Sequence, residues 1–336
     1  MQRTLKLGTR GSLLAMAQSR QIAAQLMRLH PGLDIQLHPV TTRGDRDQST
    51  PLGRIDDPDF FSAELDSALL DGEVDFCVHS LKDLPTSRHA GISCAAMPAR
   101  ENPRDVIVWR RDVRARLATG EPLRIGASSA RRQQNLADFL PAALPATGRT
   151  HVLQFVELRG AVDARLARLQ TGDAPAATLD GVVLALAGLS RLWNDTAAHP
   201  HLAGLLREVR WTVLPLARCP AAPGQGVLAI ECRAEDEEIR ELLRALHDPD
   251  TAELVALELA ALAQWPAAPR AVLGATAIMH ASLGPVCYVH GTVDGKTVEQ
   301  IIWNQPPAPR SEVRAFNGIA WQRLCKRELA VDTLPE

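Results

Sequence analysis

A strand followed by an amphipathic helix recurs along this chain, and that alternation restricts the fold more than any single residue does. Residues 4–9 (TLKLGT) alternate as a short strand and stop at Gly-Thr-Arg-Gly-Ser. Ser12 is placed to cap a helix with Ala15, Ile22, Leu26 and Leu29 on its buried face, and Pro31-Gly32 ends it. A second strand is expected over 35–42, then a loop rich in Asp, Gly and Pro (43–59), a helix around Phe61–Leu70 and a strand over 74–80. Units of this kind predict a parallel α/β sheet. The pattern restarts near Asp105: strand IVWR, strand RIGASS, a helix from Ser129, a strand over 152–158, a helix from Ala161 and a strand over 180–188. Ala174–Ala177 reads as an inserted loop, and Leu228–Glu231 as a strand returning to the first domain. Beyond about residue 245 come an Ala/Leu-rich helix (252–263), strands near 273–280, 285–293 and 297–303, and a helix near 311–329. The expected class is α/β. Two α/β domains, 1–104 with 227–244 and 105–226, face each other across a cleft, and a small α+β domain covers 245–336. Ligands of such folds lie at strand C-termini facing the hinge.

Composition narrows the function. A chain of 336 residues with 46% hydrophobic and 23% charged residues builds more than one cored domain. Its net charge of −2 supplies no field to attract nucleic acid or an anionic membrane. No stretch approaches the roughly 18 apolar residues of a membrane span, and no apolar run follows Met1-Gln-Arg-Thr-Leu-Lys, so no secretory leader is expected. Six cysteines (Cys77, Cys94, Cys219, Cys232, Cys287, Cys325) form no CxxC pair. That spacing argues against a metal site and for reduced thiols in the cytoplasm. All but four of the 37 basic residues are arginine. Genomic base composition accounts for such a bias, but the planar guanidinium fork also suits carboxylate ligands.

Three blocks carry chemistry. VDFCVHSLKDLPT (74–86) is a buried strand that delivers His79, Ser80, Lys82 and Asp83 at its C-terminal end. The Leu-Pro pair after Asp83 is expected to hold its backbone extended and aim its carboxylate into the cleft. On its own a loop aspartate is more often a turn residue. RIGASSARRQQNL (124–136) ends a strand in a small-residue turn, where Ser128 or Ser129 caps a helix whose free N–H groups favour anions, beside Arg131 and Arg132. A solvated helix face explains two adjacent arginines equally well. ELRGAVDARLARL (157–169) repeats the layout with Arg159 and Arg165, while Val162, Leu166 and Leu169 form a core face. Arg10 follows the first strand and Arg191 a later one. Six arginines after strand ends would surround a polyanion in the cleft. No glycine-rich phosphate loop accompanies them, so several carboxylates are the expected target and no nucleotide is.

At these residues the chain resembles the porphobilinogen deaminase (hydroxymethylbilane synthase) family. LGTRGS, TTRGD, VHSLKDLPT, IGASSARRQ, LRGAVDARL, LALAGLSRL and PAAPGQGVLAIECR occur in that family's order and spacing over roughly residues 4–233. The resemblance implies two periplasmic-binding-protein-like α/β domains plus a third, and an enzyme of tetrapyrrole biosynthesis. That enzyme joins four porphobilinogen molecules head to tail with release of ammonia. It further implies Asp83 as the catalytic aspartate. Arg10, Arg131, Arg132, Arg159, Arg165 and Arg191 correspond to ligands of substrate and cofactor carboxylates, with Ser12, Ser128 and Ser129 as smaller polar contacts; Lys82, beside Asp83, is a further substrate-binding candidate. The chemistry fits these residue types. Loss of ammonia from an aminomethylpyrrole leaves a cationic azafulvene, which a fixed carboxylate stabilises, and each ring brings an acetate and a propionate for arginines to hold.

Two departures qualify the resemblance. The family anchors a dipyrromethane cofactor through a cysteine in a Gly-Gly-Cys-Gln loop; here that loop reads Trp265-Pro-Ala-Ala-Pro-Arg, and the cysteine position falls on Pro269. Dipyrromethane is thus expected from the family, while its covalent attachment is put in question; Cys219 and Cys287 are the substitutes the sequence offers. The segment DDPDFFSAEL (56–65) replaces two family lysines with Pro58 and Ala63 and adds Asp56, Asp57 and Asp59, which disfavours carboxylate binding. Ala161 stands where the family often has asparagine. Three readings follow: a monomeric enzyme that activates porphobilinogen without a covalent primer, a non-catalytic pyrrole-carboxylate binding protein, and an ordinary hydroxymethylbilane synthase with its primer on another cysteine. The first is favoured because Asp83 and all six arginines are retained together. Nucleic acid and membrane partners are not expected.

Overall fold

The computed structural model describes residues 3–46, 60, 62–85, 87–148, 150–170, 178–265 and 272–303. The sequence-expected inserted loop at 174–177, the helix near 311–329 and the position of Pro269 lie outside them. In the first lobe, β1 (Arg3–Arg10), α1 (Leu13–Leu29), β2 (Leu33–Val40), the single turn α2 (Arg43–Arg46), α3 (Ala63–Leu70), β3 (Phe76–Ser80) and β4 (Ile92–Ala96) follow in order. In the second, β5 (Asp105–Arg110), α4 (Val113–Thr119), β6 (Leu123–Gly126), α5 (Ala130–Ala143), β7 (Leu153–Val156), α6 (Val162–Ala167), β8 (Gly181–Ala185), α7 (Leu186–Asn194), α8 (His199–Leu206) and β9 (Val209–Val213) follow. The chain then returns through β10 (Leu228–Arg233) and α9 (Glu237–Arg244), and finishes in α10 (Pro249–Ala263), β11 (Leu273–His280), β12 (Gly284–Val293) and β13 (Lys296–Trp303). The amphipathic pattern that marks α1 is obeyed by Ile22 and Leu26, both fully buried, but Leu29 at its last turn is 47% exposed. Neither β4 nor β9 has a distinctive sequence pattern, because each is short and bounded by loops.

The two five-stranded sheets share one plan. Strand order is β2-β1-β3-β10-β4 in the first and β7-β6-β8-β5-β9 in the second. In each, the three strands linked by helices run parallel, as the strand-helix alternation predicts. The fourth, β10 or β5, is antiparallel to both neighbours. The difference has a topological cause. Parallel neighbours need a crossover helix, whereas β5 and β10 enter directly from the opposite lobe. Both faces of the second sheet are covered: Val106 and Val108 of β5 pack into one core and Ile107 and Trp109 into the other. The first sheet buries Leu5, Leu7 and Phe76 against Ile22 and Leu26 of α1. The strand expected to run to residue 188 stops at Ala185, and Leu-Ala-Gly (186–188) forms the start of α7.

The third sheet, β11-β12-β13, is antiparallel throughout, and α10 covers one face through Leu254, Ala261 and Leu262. Its other face meets Leu216 and Ala217 of the returning chain. Docking is polar at its centre. Ala275 N donates to Ala221 O at 3.0 Å, and Ala221 N to Thr276 Oγ1 at 2.7 Å. Buried Glu258 of α10 pairs with Arg100 Nη1 at 2.5 Å and accepts from Gly224 N at 2.8 Å and Ala277 N at 2.7 Å. Burial pushes the Glu258 carboxyl above its ordinary range, against the charge and hydrogen bond of Arg100. Both crossings between lobes, near residues 100 and 224, therefore end on one carboxylate of the third.

The crossings also touch each other. Glu101 N donates to Gly226 O at 3.1 Å, and Gly226 adopts φ +87. A Cβ there would lie 2.4 Å from Glu101 O. Gly226→Ala is therefore expected to lose on the order of 2–4 kcal/mol in a denaturant titration, from left-handed strain plus a backbone clash. Gly148→Ala is the comparison, with φ +75 but nothing within 4 Å. It is expected to lose only about 1 kcal/mol.

Candidate active site

A cavity of about 480 Å³ lies where the two lobes face each other. The end of β1 and the loop after it contribute Arg10 and Ser12, and the turn after β3 contributes Lys82 and Asp83. From the second lobe come Arg132 of α5, Arg159 in the loop between β7 and α6, and Arg165 of α6. These seven sequence candidates share the wall. Ser128, Ser129, Arg131, Arg191, Cys219 and Cys287 are not among its lining residues.

Asp83 closes a single 3-10 turn (Leu81–Asp83), and Leu84 follows with φ −81 and ψ 145. The extended restraint imposed by Pro85 thus falls on Leu84 and not on Asp83, as expected for the residue directly before proline. Leu81 N donates to Val227 O at 3.0 Å, which ties the turn to the returning chain. The Asp83 carboxylate is exposed and forms no hydrogen bond or ion pair among the described residues. Lys82 beside it donates to Gln225 Oε1 at 3.2 Å. Burial lowers the Lys82 ammonium from its ordinary value, with Asp83 opposing and Arg132 adding to the effect.

The arginines divide into committed and free groups. Arg10 pairs with Asp45, Nη2 to Oδ1 at 2.5 Å. Burial raises Asp45, but Arg10 and Thr42 outweigh it and hold the carboxyl below its usual range. Arg131 and Arg132 grip opposite oxygens of Asp105 at 2.9 and 2.7 Å. Arg131 also donates to Pro220 O at 2.7 Å, which points it away from the cavity. Arg191, on α7 rather than directly after a strand, donates to Gly226 O at 2.7 Å and braces the crossing. Arg165 is anchored by Nε to Gly160 O at 2.7 Å, which leaves its two terminal nitrogens without a partner among the described residues. Burial, with Arg132 and Arg159 nearby, lowers it to about 10. Arg159 Nη1 and Arg132 Nε are buried without hydrogen-bond partners among the described residues. The two terminal nitrogens of Arg165, on the cavity wall, are donors of the kind an incoming carboxylate requires.

The serines have structural duties. Ser12 Oγ accepts from Ala15 N at 3.3 Å and caps α1, as the sequence indicates. Ser129 occupies the N-cap of α5 without a side-chain cap bond. The Ser128 hydroxyl bridges to Leu158 O and accepts from Leu158 N at 3.2 Å, so it fastens two strand-end loops together. Cys219 and Cys287 are 1% and 0% exposed and sit in apolar clusters. Burial pushes the Cys219 thiol up to about 12 and raises Cys287 as well. Neither presents a thiolate to the cavity.

Beneath Asp83, His79 lies against Glu231 and Asp66 in an arrangement suited to a cation. Arg88 supplies it, donating to Asp66 at 2.7 and 2.9 Å and to Glu231 at 2.7 and 2.9 Å. Its guanidinium was not singled out in the sequence because Ser-Arg-His reads as an ordinary loop. Gln225, between two glycines, was missed as well.

Comparison with known proteins settles the family. The model "Porphobilinogen deaminase, dipyromethane cofactor binding domain" matches residues 5–241. The chain belongs to the porphobilinogen deaminase family. Porphobilinogen deaminase 1 of Streptomyces coelicolor is 39% identical over 325 residues, 94% of this chain and 93% of that one. The porphobilinogen deaminase of Streptococcus sanguinis is 39% identical over 264 residues, 78% of each chain. Among solved structures, the methionine binding protein MetQ overlays with a TM-score of 0.39 at 13% identity, covering 75% of this chain and 93% of that one.

His79 gives the fold a pH signature. Burial, then Arg88, lowers its imidazole to about 4, with Asp66 and Asp83 opposing and Arg10 contributing. An unfolded histidine takes its proton near 6.5, so stability falls as pH drops from about 6.5 to about 4, by at most about 3 kcal/mol. Denaturant midpoints measured across that window should show the decline in the native chain and a flatter profile in His79→Gln.

Proposed function

We propose that this chain deaminates porphobilinogen and couples pyrrole units in tetrapyrrole biosynthesis, holding a dipyrromethane without a covalent bond. The family match supports the activity and the cofactor. The observation that carries the site assignment is the contrast between Asp83, exposed and without a partner among the described residues, and the unpartnered terminal nitrogens of Arg165 across the cavity.

These residues fit a dipyrromethane, whose carboxylates would be held by Arg132, Arg159 and Arg165. When bound, that group supplies the pyrrole carbon that accepts the next ring. The chain does the rest. Arg159 and Arg165 orient ring carboxylates with forked hydrogen bonds. Asp83 faces the pyrrole N–H of the incoming substrate and stabilises positive charge as the aminomethyl group leaves as ammonia. Holding both rings between two lobes limits the water that competes for the electrophile. Proline at position 269 has no nucleophile, and the buried thiols of Cys219 and Cys287 offer no replacement, which favours non-covalent retention. The same reading takes the protein as a cytoplasmic monomer, organised as residues 1–104 with 227–244, residues 105–226 and residues 245–336. Two chain crossings and three separate sheets support those divisions. No helix of the described residues is long and apolar enough to cross a membrane.

Purified protein should release ammonia from porphobilinogen, and Asp83→Ala should lower that rate by about a hundredfold or more. Intact mass should equal the bare chain, while acid denaturation followed by an aldehyde stain should release a pyrrole into the supernatant. A stable mass increment matching a dipyrromethane would instead establish a covalent primer. Tight binding with porphobilinogen recovered intact would favour a non-catalytic binding protein.

A further inference from the structure

Gln225 is fully buried between Gly224 (φ +71) and Gly226 (φ +87). A Cβ on Gly224 would lie 2.9 Å from the Leu81 side chain, so this Gly-Gln-Gly turn is pressed against both the Asp83 turn and the first crossing. The amide is used at both ends. Oε1 accepts from Lys82 Nζ at 3.2 Å, and Nε2 donates to Pro103 O at 2.8 Å and Asp105 Oδ1 at 2.9 Å. Only this orientation works, since the ammonium has donors alone and the carboxylate acceptors alone. Asp105 in turn holds Arg132 at 2.7 Å. An unbroken line of hydrogen bonds therefore joins the neighbour of Asp83 on one lobe to a cavity arginine on the other.

We propose that Gln225 is a positioning residue for deamination: it fixes the spacing of Lys82 and Arg132, so that a ring carboxylate and the reacting ring reach Asp83 in register. It touches no substrate, and the inference rests on the function proposed above. Misplacement of this kind lowers turnover more than affinity. It also alters Lys82, whose surroundings are Asp83, Asp105, Arg131, Arg132 and the Gln225 oxygen. Removing that acceptor disfavours the ammonium, and replacing it with a carboxylate favours it.

The test uses the full chain, porphobilinogen and ammonia release. Gln225→Met should lower kcat about tenfold or more with KM changed less than about threefold, and move the basic limb of the rate profile to lower pH. Gln225→Glu should move that limb to higher pH. Its added charge repels Asp105, so combining it with Asp105→Asn should restore roughly tenfold of the lost rate. General loosening would not shift the limb in opposite directions at one position. Folded variants with native kcat and an unmoved limb would overturn the inference, as would limbs that move together in step with a falling Tm. If Gln225→Met does not fold, Gln225→Glu and its pairing with Asp105→Asn carry the same readings. A native chain that releases no ammonia refutes the functional reading and this inference with it; an active native chain with unaffected variants refutes the inference alone.

Discussion

Two guanidinium groups, on adjacent residues of one helix, are buried against a single carboxylate, and the centre of the molecule is arranged around that cost. Arg131 and Arg132 repel each other, and each loses hydration worth several kcal/mol on burial. Asp105 offsets this by taking one on each oxygen, at 2.9 and 2.7 Å. Burial alone would raise its carboxyl, but the charges of Arg132 and Arg131 and the amide of Gln225 hold it far below its ordinary range. Asp105 is the first residue of β5, where the chain has just arrived from the other lobe. The pairing therefore fixes the start of α5 against the crossing, and sets where Arg132 meets the cavity.

A second buried pair does for the third lobe what Asp105 does for the second. Arg100 lies in one crossing, and Glu258, which also binds Gly224 N in the other, lies on α10. Arg100 Nε further donates to Gln225 O at 2.9 Å. The backbone of Gln225 is thus held by a crossing residue anchored to the third lobe, while its side chain is fixed between the first two. Breaking one partner of such a pair leaves a buried charge uncompensated, which is costly even where the intact pair adds little net stability. Rigidity at the crossings keeps the opposing walls of the cavity in a constant relation.

The sequence revealed the elements better than their roles. Buried-face spacing located α1 through Ile22 and Leu26, and helix-linked strands implied the parallel trios, because local patterning decides both. It could not show that β5 and β10 run antiparallel, since direction there depends on which lobe the chain enters from. Motif position brought Arg10, Lys82, Asp83, Arg132, Arg159 and Arg165 to one cavity. The same motifs also offered Arg131, Arg191 and Ser128, which hold Pro220 O, Gly226 O and Leu158. An arginine that braces backbone and one that receives a ligand have the same local sequence; only the neighbours brought in by the fold distinguish them. Asp105 and Arg88 escaped notice for the converse reason, as their partners lie far away in the chain.

That division of the arginines bears on the role proposed for Asp83. A carboxylate meant to stabilise a transient cation loses that capacity if a permanent one is already bound to it. Cations surround Asp83, yet each lies in another relationship: Lys82 donates to Gln225, Arg10 to Asp45, Arg132 to Asp105 and Arg165 to Gly160 O. These internal hydrogen bonds hold the cations in place, and none of them closes on Asp83. What remains unpaired among the described residues, an aspartate on one lobe and guanidinium nitrogens on the other, is complementary to a pyrrole that gains positive charge on its ring while keeping negative charge on its side chains. The buried pairs thus supply more than cohesion. They decide which charges stay available to the substrate.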